Sequence, residues 1–319
     1  MNKLIAIGEL LIDFVSEQNG SIENVSQFNK LPGGAPANVA CCVSKLGGRS
    51  AMITKLGEDP FGNFLEDVLR DNGVDTTQIY RTKKANTGLA FVSLEENGER
   101  DFTFYRNPSA DLFLEPAEIR KEFILPGDIL HFCSVDLVDY PIKQAHEVAI
   151  QYCHELGALV SFDPNVRLPL WENHDLYRER INEFIPKAHL LKISEDELEF
   201  ITGQKDEKKA IECLFKGCIK LVFLTKGKDG VVLYSKNGSI EVQSHSVKAI
   251  DTTGAGDSFI GSILYQLLKR KYTVEMLDSS LDEFEEILNF ANTVASIVVT
   301  RKGAISALPT LNEVILKQE

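Results

Sequence analysis

The six cysteines, Cys41, Cys42, Cys133, Cys153, Cys213 and Cys218, include no C-x-x-C pair. Zinc ribbons and redox dithiols need that spacing, so neither is expected. Five of the six sit in apolar-patterned segments, which reads as buried, reduced thiols of a cytoplasmic protein rather than a disulfide frame. No apolar run reaches the ~20 residues of a membrane helix. Glu9 and Asp13 break the N-terminal apolar stretch and spoil a signal-peptide core. The N-x-S strings at Asn24 and Asn237 therefore carry no weight as glycosylation sites. Basic charge is scarce, with 34 Lys and Arg against 47 Asp and Glu, a net charge of -13. The field of such a chain repels phosphate backbones and anionic lipid, so neither nucleic acid nor membrane is expected as a partner. Repeats, low-complexity tracts and long linkers are also missing. So are two common phosphate-binding loops. The one Gly-Lys pair, Gly227-Lys228, is followed by Asp229, which rules out a Walker A loop, and Gly254-x-Gly256 continues to Gly261 at the wrong spacing for a dinucleotide fingerprint.

What remains is an ordinary α/β composition: 319 residues, 44% apolar and 25% charged. Short apolar runs at 4–7, 51–54, 129–132, 159–162, 190–193 and 221–224 show little polar alternation, as strands buried on both faces do. Helical patterns lie near 36–46, 60–72, 141–156, 175–184, 195–202 and 206–216. This alternation predicts a doubly wound α/β fold, mostly parallel, occupying 1–319 as one domain. Two segments break the rhythm, at about 14–31 and 87–106. Each holds an Asn-Gly turn signal, Asn19-Gly20 and Asn97-Gly98. Val15, Phe91, Phe102 and Phe104 alternate with polar residues, so one face of a small inserted β-sheet should be buried. Such a sheet serves as a lid, as an interface, or merely as an edge decoration.

The most informative stretch is Asp251-Thr252-Thr253-Gly254-Ala255-Gly256-Asp257-Ser258-Phe259. Behind it Ile260, Ile263, Leu264, Leu267 and Leu268 mark one face of a helix. Gly254, Ala255 and Gly256 thus open a helix N-terminus, where small side chains leave backbone N–H groups available to an anion. A carboxylate beside that opening repels phosphate, so Asp257 makes little sense for binding alone. It makes sense as the base that takes a hydroxyl proton while the oxygen attacks a phosphoryl group. The competing reading is a simple N-cap, with Thr253 capping and Asp257 favouring the dipole.

This stretch resembles the C-terminal signature of the pfkB (ribokinase-like) sugar kinases. Gly33-Gly34-Ala35-Pro36-Ala37-Asn38, with Leu46-Gly47, Leu56-Gly57-Glu58-Asp59 and Phe61-Gly62, is similar to the family's N-terminal signature. The resemblance implies a ribokinase-like fold with a β-sheet lid, through which members often dimerise. It implies a small-molecule sugar and ATP as partners, with Mg²⁺. It assigns Asp257 as catalytic base and Asp13, Gly33, Gly34 and Asn38 to sugar hydroxyls. For ATP it points to Ser194, Thr225, Gly227 and Asn292, with Thr225-Lys226-Gly227-Lys228-Asp229-Gly230 similar to the family's T-x-G-x-x-G loop. Glu197 corresponds to the family's N-x-x-E acid and would support Mg²⁺ through water, although Ser194 stands where the family has Asn. Asp251, Thr253 and Gly303 match a monovalent-cation (K⁺) site, with Ala307 where some members place serine.

The strings around Arg106 (Tyr105 to Asp111) and Arg167 (Asp163 to Trp171) look like fructokinase motifs, which makes fructose the favoured substrate and these arginines its ligands. A structural arginine paired with Asp111 or Asp163 is the competing reading of each. A 2-keto-3-deoxygluconate kinase fits the same arginines, and a non-catalytic sugar-binding regulator on the same fold is a further alternative.

Overall fold

The computed structural model describes residues 2–94, 100–278 and 281–318. In chain order its elements begin with β1 (Leu4–Ile7), β2 (Leu11–Asn19), β3 (Phe28–Gly33), α1 (Ala35–Lys45), β4 (Ser50–Gly57), α2 (Pro60–Asp71) and β5 (Asp75–Thr82). Then come β6 (Leu89–Leu94), β7 (Arg100–Tyr105), β8 (Ile129–Cys133), α3 (Pro141–Leu156), β9 (Leu159–Asp163) and α4 (His174–Phe184). The last part holds β10 (Leu190–Ser194), α5 (Glu195–Thr202), α6 (Glu207–Leu214), β11 (Leu221–Thr225), β12 (Val231–Ser235), β13 (Gly238–Val242), α7 (Ala255–Arg270), α8 (Phe284–Val298) and α9 (Leu311–Gln318).

Nine strands form the main sheet in the order β13-β12-β11-β10-β9-β8-β1-β4-β5. The seven from β11 to β5 run parallel, and β12 and β13 add an antiparallel edge. Central strands such as Leu4–Ile7 are wholly buried because helices cover both faces. Alternate residues feed opposite cores. Leu4 and Ala6 pack with α1, α7 and α8, while Ile5 and Ile7 pack with α3, α4 and the helices after β10. The apolar runs locate the parallel strands to within a few residues. Outside the pattern-based expectation lie β5, β12, β13, α8 and α9. Edge strands such as Gly238–Val242 expose a face, so they carry too few apolar residues to stand out.

The second sheet has the order β3-β2-β6-β7. β2 runs parallel to β6, and β3 and β7 flank them antiparallel. The ladder corrects one expectation. Phe91 pairs with Phe14, and Val15 with Val92, so Phe91 and Val15 face opposite ways. The aromatic face is carried by Phe14 and Phe91, stacked at 4.9 Å, with Phe28 and Tyr105 edge-on to Phe91. Phe14 also meets Phe61, which seats the sheet on α2. The Asn97-Gly98 turn and the Phe102 side chain lie outside the described residues.

Candidate active site

The carboxyl ends of β1, β9, β10 and β11 converge at one edge of the main sheet, the usual ligand edge of an open α/β sheet. There α7 begins. Gly254 precedes it at φ +75°, a conformation that disfavours a side chain, and a Cβ there would meet that of Ala304 at 2.9 Å. Ala255 donates its N–H back to the Thr252 carbonyl at 3.2 Å, while the N–H groups of Gly254, Gly256 and Asp257 take no acceptor among the described residues. Of the three amides expected from sequence to form the anion hole, those of Gly254 and Gly256 are open among the described residues, and Ala255 uses its own to close the turn.

Asp257 sits in the first helical turn, 9% exposed. Its Oδ2 accepts from Asn38 Nδ2 at 2.8 Å and its Oδ1 from Asn165 Nδ2 at 3.4 Å. Burial raises its pKa, opposed by the Asn38 bond and by the charges of Arg167 and Lys192. Asn38 and Asp257 lie 219 positions apart and meet because α1 and α7 pack closely. A Cβ at Gly261 would fall 2.9 Å from the Cys42 Cβ, so that approach depends on the missing side chain.

The other sequence-predicted sugar residues largely assemble here. Asp13, on β2, lies directly against Gly33: a Cβ at Gly33 would collide with its carboxylate. Gly34 caps α1, which places Asn38 in that helix's first turn. Arg167 is exposed, is held to its own loop by a bond to the Val166 carbonyl, and forms no ion pair among the described residues. Its charge acts on Asp257.

Arg106 is placed differently. Its side chain is 7% exposed, and one guanidinium nitrogen is held by both Asp111 and Asp136. Glu9 adds a third carboxylate, and burial pushes its pKa up to about 7 against the pull of Arg106 and the N–H of Ala35. Arg106 is thus paired with Asp111, the partner of its competing reading from sequence, and with Asp136 besides.

A dead-centre lysine completes the surroundings. Lys192 interrupts the apolar strand β10, pairs with Asp163 at 3.0 Å, and comes within 3.1 Å of where a Gly256 Cβ would stand. Burial opposes its charge, but Asp163 and Glu197 hold its pKa above the usual range. The site thus brings together a helix N-terminal turn with open N–H groups, a buried carboxylate bonded by two side-chain amides and a second acid, Asp13, on the small sheet. A model of the pfkB family of carbohydrate kinases matches residues 1–311.

The chain belongs to the pfkB family of carbohydrate kinases.

It is 44% identical over 310 residues to a probable fructokinase-2 of Arabidopsis thaliana, covering 96% of this chain and 93% of that one. Among solved structures it is similar to a fructokinase with bound ATP from Xylella fastidiosa, at TM-score 0.91 and 33% identity over 99% of this chain and 97% of the other. It is also similar to a fructokinase from Vibrio cholerae in its fructose, ADP and calcium ion bound form, at TM-score 0.89 and 33% identity over 100% and 99%.

Of the residues expected from sequence at the nucleotide, Ser194 and Thr225 end β10 and β11 at the same edge of the sheet. Ser194 and Glu197 form a capping box on α5, and Glu197 also accepts from Val166 N–H at 2.6 Å. Burial opposes the Glu197 charge, yet Lys192 and these N–H groups outweigh it and hold its pKa below the usual carboxylate value. Thr225 ends β11, and Gly227 follows at φ +55° in a loop closed by a bond from Lys226 N–H to the Gly230 carbonyl. Asn292 is buried and donates to the Gln243 carbonyl at 3.0 Å. Asp251 accepts from Thr253 N–H and hydroxyl and from Gly303 N–H at 2.7 to 2.9 Å, so these three meet in one loop pair.

Sequence reasoning missed Asn165, Lys192, Asp136 and Glu9. A lysine inside an all-apolar strand was the available signal for Lys192. For Asn165 it was the Asp-Pro-Asn turn. One further grouping of metal-ligating types, His154, His189 and Cys218, lies at the opposite, amino edge of the sheet. His189 Nδ1 accepts from Val160 N–H, so its proton sits on Nε2 and the neutral ring has no second lone pair for a metal. No helix among the described residues is long and apolar enough to cross a membrane.

Proposed function

We propose that this chain is an ATP-dependent fructokinase that phosphorylates a primary hydroxyl of fructose, with Asp257 as general base. The observation that carries the reading is Asp257 itself, buried and twice amide-bonded, beside the open N–H groups of Gly254 and Gly256. Asp257 accepts the hydroxyl proton, and the freed oxygen attacks the γ-phosphorus of ATP in line. The bond to the β-phosphate breaks, and its electron pair leaves with ADP. The Gly254–Gly256 turn faces the charge that builds on the transferred group. Asp13, Gly33, Gly34 and Asn38 hold the sugar hydroxyls, and Arg167 reaches the site from the β9 loop. Fructokinases at 44% and 33% identity over nearly the whole chain support fructose as the substrate.

Thr225, Gly227, Ser194 and Asn292 take the nucleotide. Glu197 stays ionised and fits the outer shell of Mg²⁺, which neutralises phosphate charge when bound. The oxygens of Asp251 and Thr253, beside Gly303, are hard donors suited to a monovalent cation such as K⁺. The small sheet acts as the lid, excluding water from the reaction. Its aromatic face, where Tyr105 is 64% exposed, supports pairing of two copies through that sheet. Six unpaired cysteines support a cytoplasmic location.

The test is ADP release with Mg·ATP and a panel of fructose, ribose, 2-keto-3-deoxygluconate, adenosine and fructose 6-phosphate. Fructose is the expected substrate, and Asp257→Ala should lower turnover by about 10²–10⁴. Selective turnover of the ketoacid would keep the mechanism and give Arg167 a carboxylate. A loss of less than tenfold in Asp257→Ala would remove the base assignment.

A further inference from the structure

Asn165 adopts φ +47°, one of two non-glycine residues at positive φ among those described. Such a backbone persists only where its surroundings hold it, and here every neighbour is held. The Asp163 carboxylate accepts the N–H of Asn165 at 3.1 Å, and Lys192 pins Asp163 in turn. The Pro164 carbonyl accepts from Ser134 N–H at 3.2 Å. Val166 N–H goes to Glu197 at 2.6 Å and Arg167 N–H to the Tyr177 hydroxyl at 3.2 Å. The result of this bracing is a buried side-chain amide aimed at Asp257 Oδ1, opposite the Asn38 amide on Oδ2.

We infer that Asn165 is a positioning residue for the proton-accepting carboxylate, forming with Asn38 a two-sided amide clamp that fixes the orientation of Asp257 and keeps it ionised. The inference rests on Asp257 being the base. A carboxylate bonded on one oxygen alone can still rotate about its Cβ–Cγ bond. Bonded on both, each oxygen keeps its remaining lone pair in a set direction, ready for the hydroxyl that the group must deprotonate. Both bonds favour the charged form, against the burial that disfavours it. The other charged or titratable groups facing Asp257 are Arg167, Lys192, Asp163, Cys42 and Cys133. Among them only the two cations favour the carboxylate. Asn38 is also assigned to a sugar hydroxyl under the proposed function, which leaves Asn165 as the arm whose removal isolates the clamp.

The left-handed backbone makes the test clean, because glycine and aspartate both tolerate it. Asn165→Gly deletes the amide and keeps the loop. Asn165→Asp keeps the shape and turns a donor into a second carboxylate. Both are compared with the wild type and with Asp257→Asn by thermal unfolding, by fructose KM and kcat, and by the pH profile of kcat/KM at saturating Mg·ATP. Asn165→Gly is expected to lose about tenfold in kcat, to keep the fructose KM within about twofold, and to move the acidic limb up by about one pH unit. Asn165→Asp should move that limb further up, since the second negative charge penalises ionisation of the first. A folded Asn165→Gly with the wild-type limb overturns the inference, whether its kcat is unchanged or only its melting temperature and KM have shifted. If Asp257→Asn is inactive at the same time, the base assignment stands without it. Wild-type turnover in Asp257→Asn overturns both.

Discussion

The α1–α7 contact gives a prediction that separates packing from chemistry. In Gly261→Ala the new methyl would fall 2.9 Å from the Cys42 Cβ and 3.1 Å from its Sγ. The nearer atom is bonded to the α1 backbone and cannot rotate away. One helix has to shift by several tenths of an ångström. Replacing a mid-helix glycine by alanine gains about 1 kcal/mol of helix propensity. Overpacking a filled core costs about 1–3 kcal/mol. The two nearly offset, so stability should fall by no more than about 2 kcal/mol. Activity is the more sensitive readout, because the shift acts on the 2.8 Å bond from Asn38 to Asp257. Misplacement of a reacting group by an ångström costs about 10²-fold, so a smaller shift should cost about tenfold in kcat. Thermal unfolding and fructose-dependent ADP release measure the two effects. Cys42→Gly removes the opposing atom, and the double variant should recover turnover even though it places a second glycine in a helix. If Gly261→Ala raises the melting temperature and keeps wild-type kcat, the helices have room to spare and the reasoning fails.

Two more predictions concern the buried ion cluster. Arg106→Met leaves Asp111 and Asp136 without their cation, so unfolding in denaturant should show a loss of about 3–5 kcal/mol; an unchanged midpoint with a raised fructose KM would return Arg106 to the sugar. Glu9 has a folded pKa raised from 4.5 to about 7, so the native state keeps a proton that the unfolded chain releases, and this group's share of stability falls as pH rises through that interval. Glu9→Gln removes that slope. Its stability relative to the wild type should climb between about pH 4.5 and 7 and level off above, and a constant difference across that range would show that Glu9 titrates normally.

Local pattern determined most of the scaffold. Strands buried on both faces need continuous apolar runs, so β1, β8, β9, β10 and β11 were legible from composition alone. The Gly254-Ala255-Gly256-Asp257 turn was legible because an open helix N-terminus beside a carboxylate is a short-range feature, written in adjacent residues. The small sheet was legible in its strands, but not in its faces. A single residue of register decides which side Phe91 takes, and that register belongs to the pairing between β2 and β6.

What only the tertiary structure decided is who meets whom. An arginine in a motif-like string has the same local pattern whether it faces a ligand or two aspartates. Asp136 lies 30 positions from Arg106, and nothing local ties them. Asn165 lies 92 positions from Asp257, and its role depends on a backbone conformation braced by Asp163, Glu197 and Tyr177 from three separate elements. The sequence by itself determined the fold class and the chemistry of the turn, because both are set by neighbours along the chain. The partners of each charge were set by which distant elements the packed core brings together, since a buried charge takes whatever counter-charge lies within a few ångströms, whatever its distance in sequence.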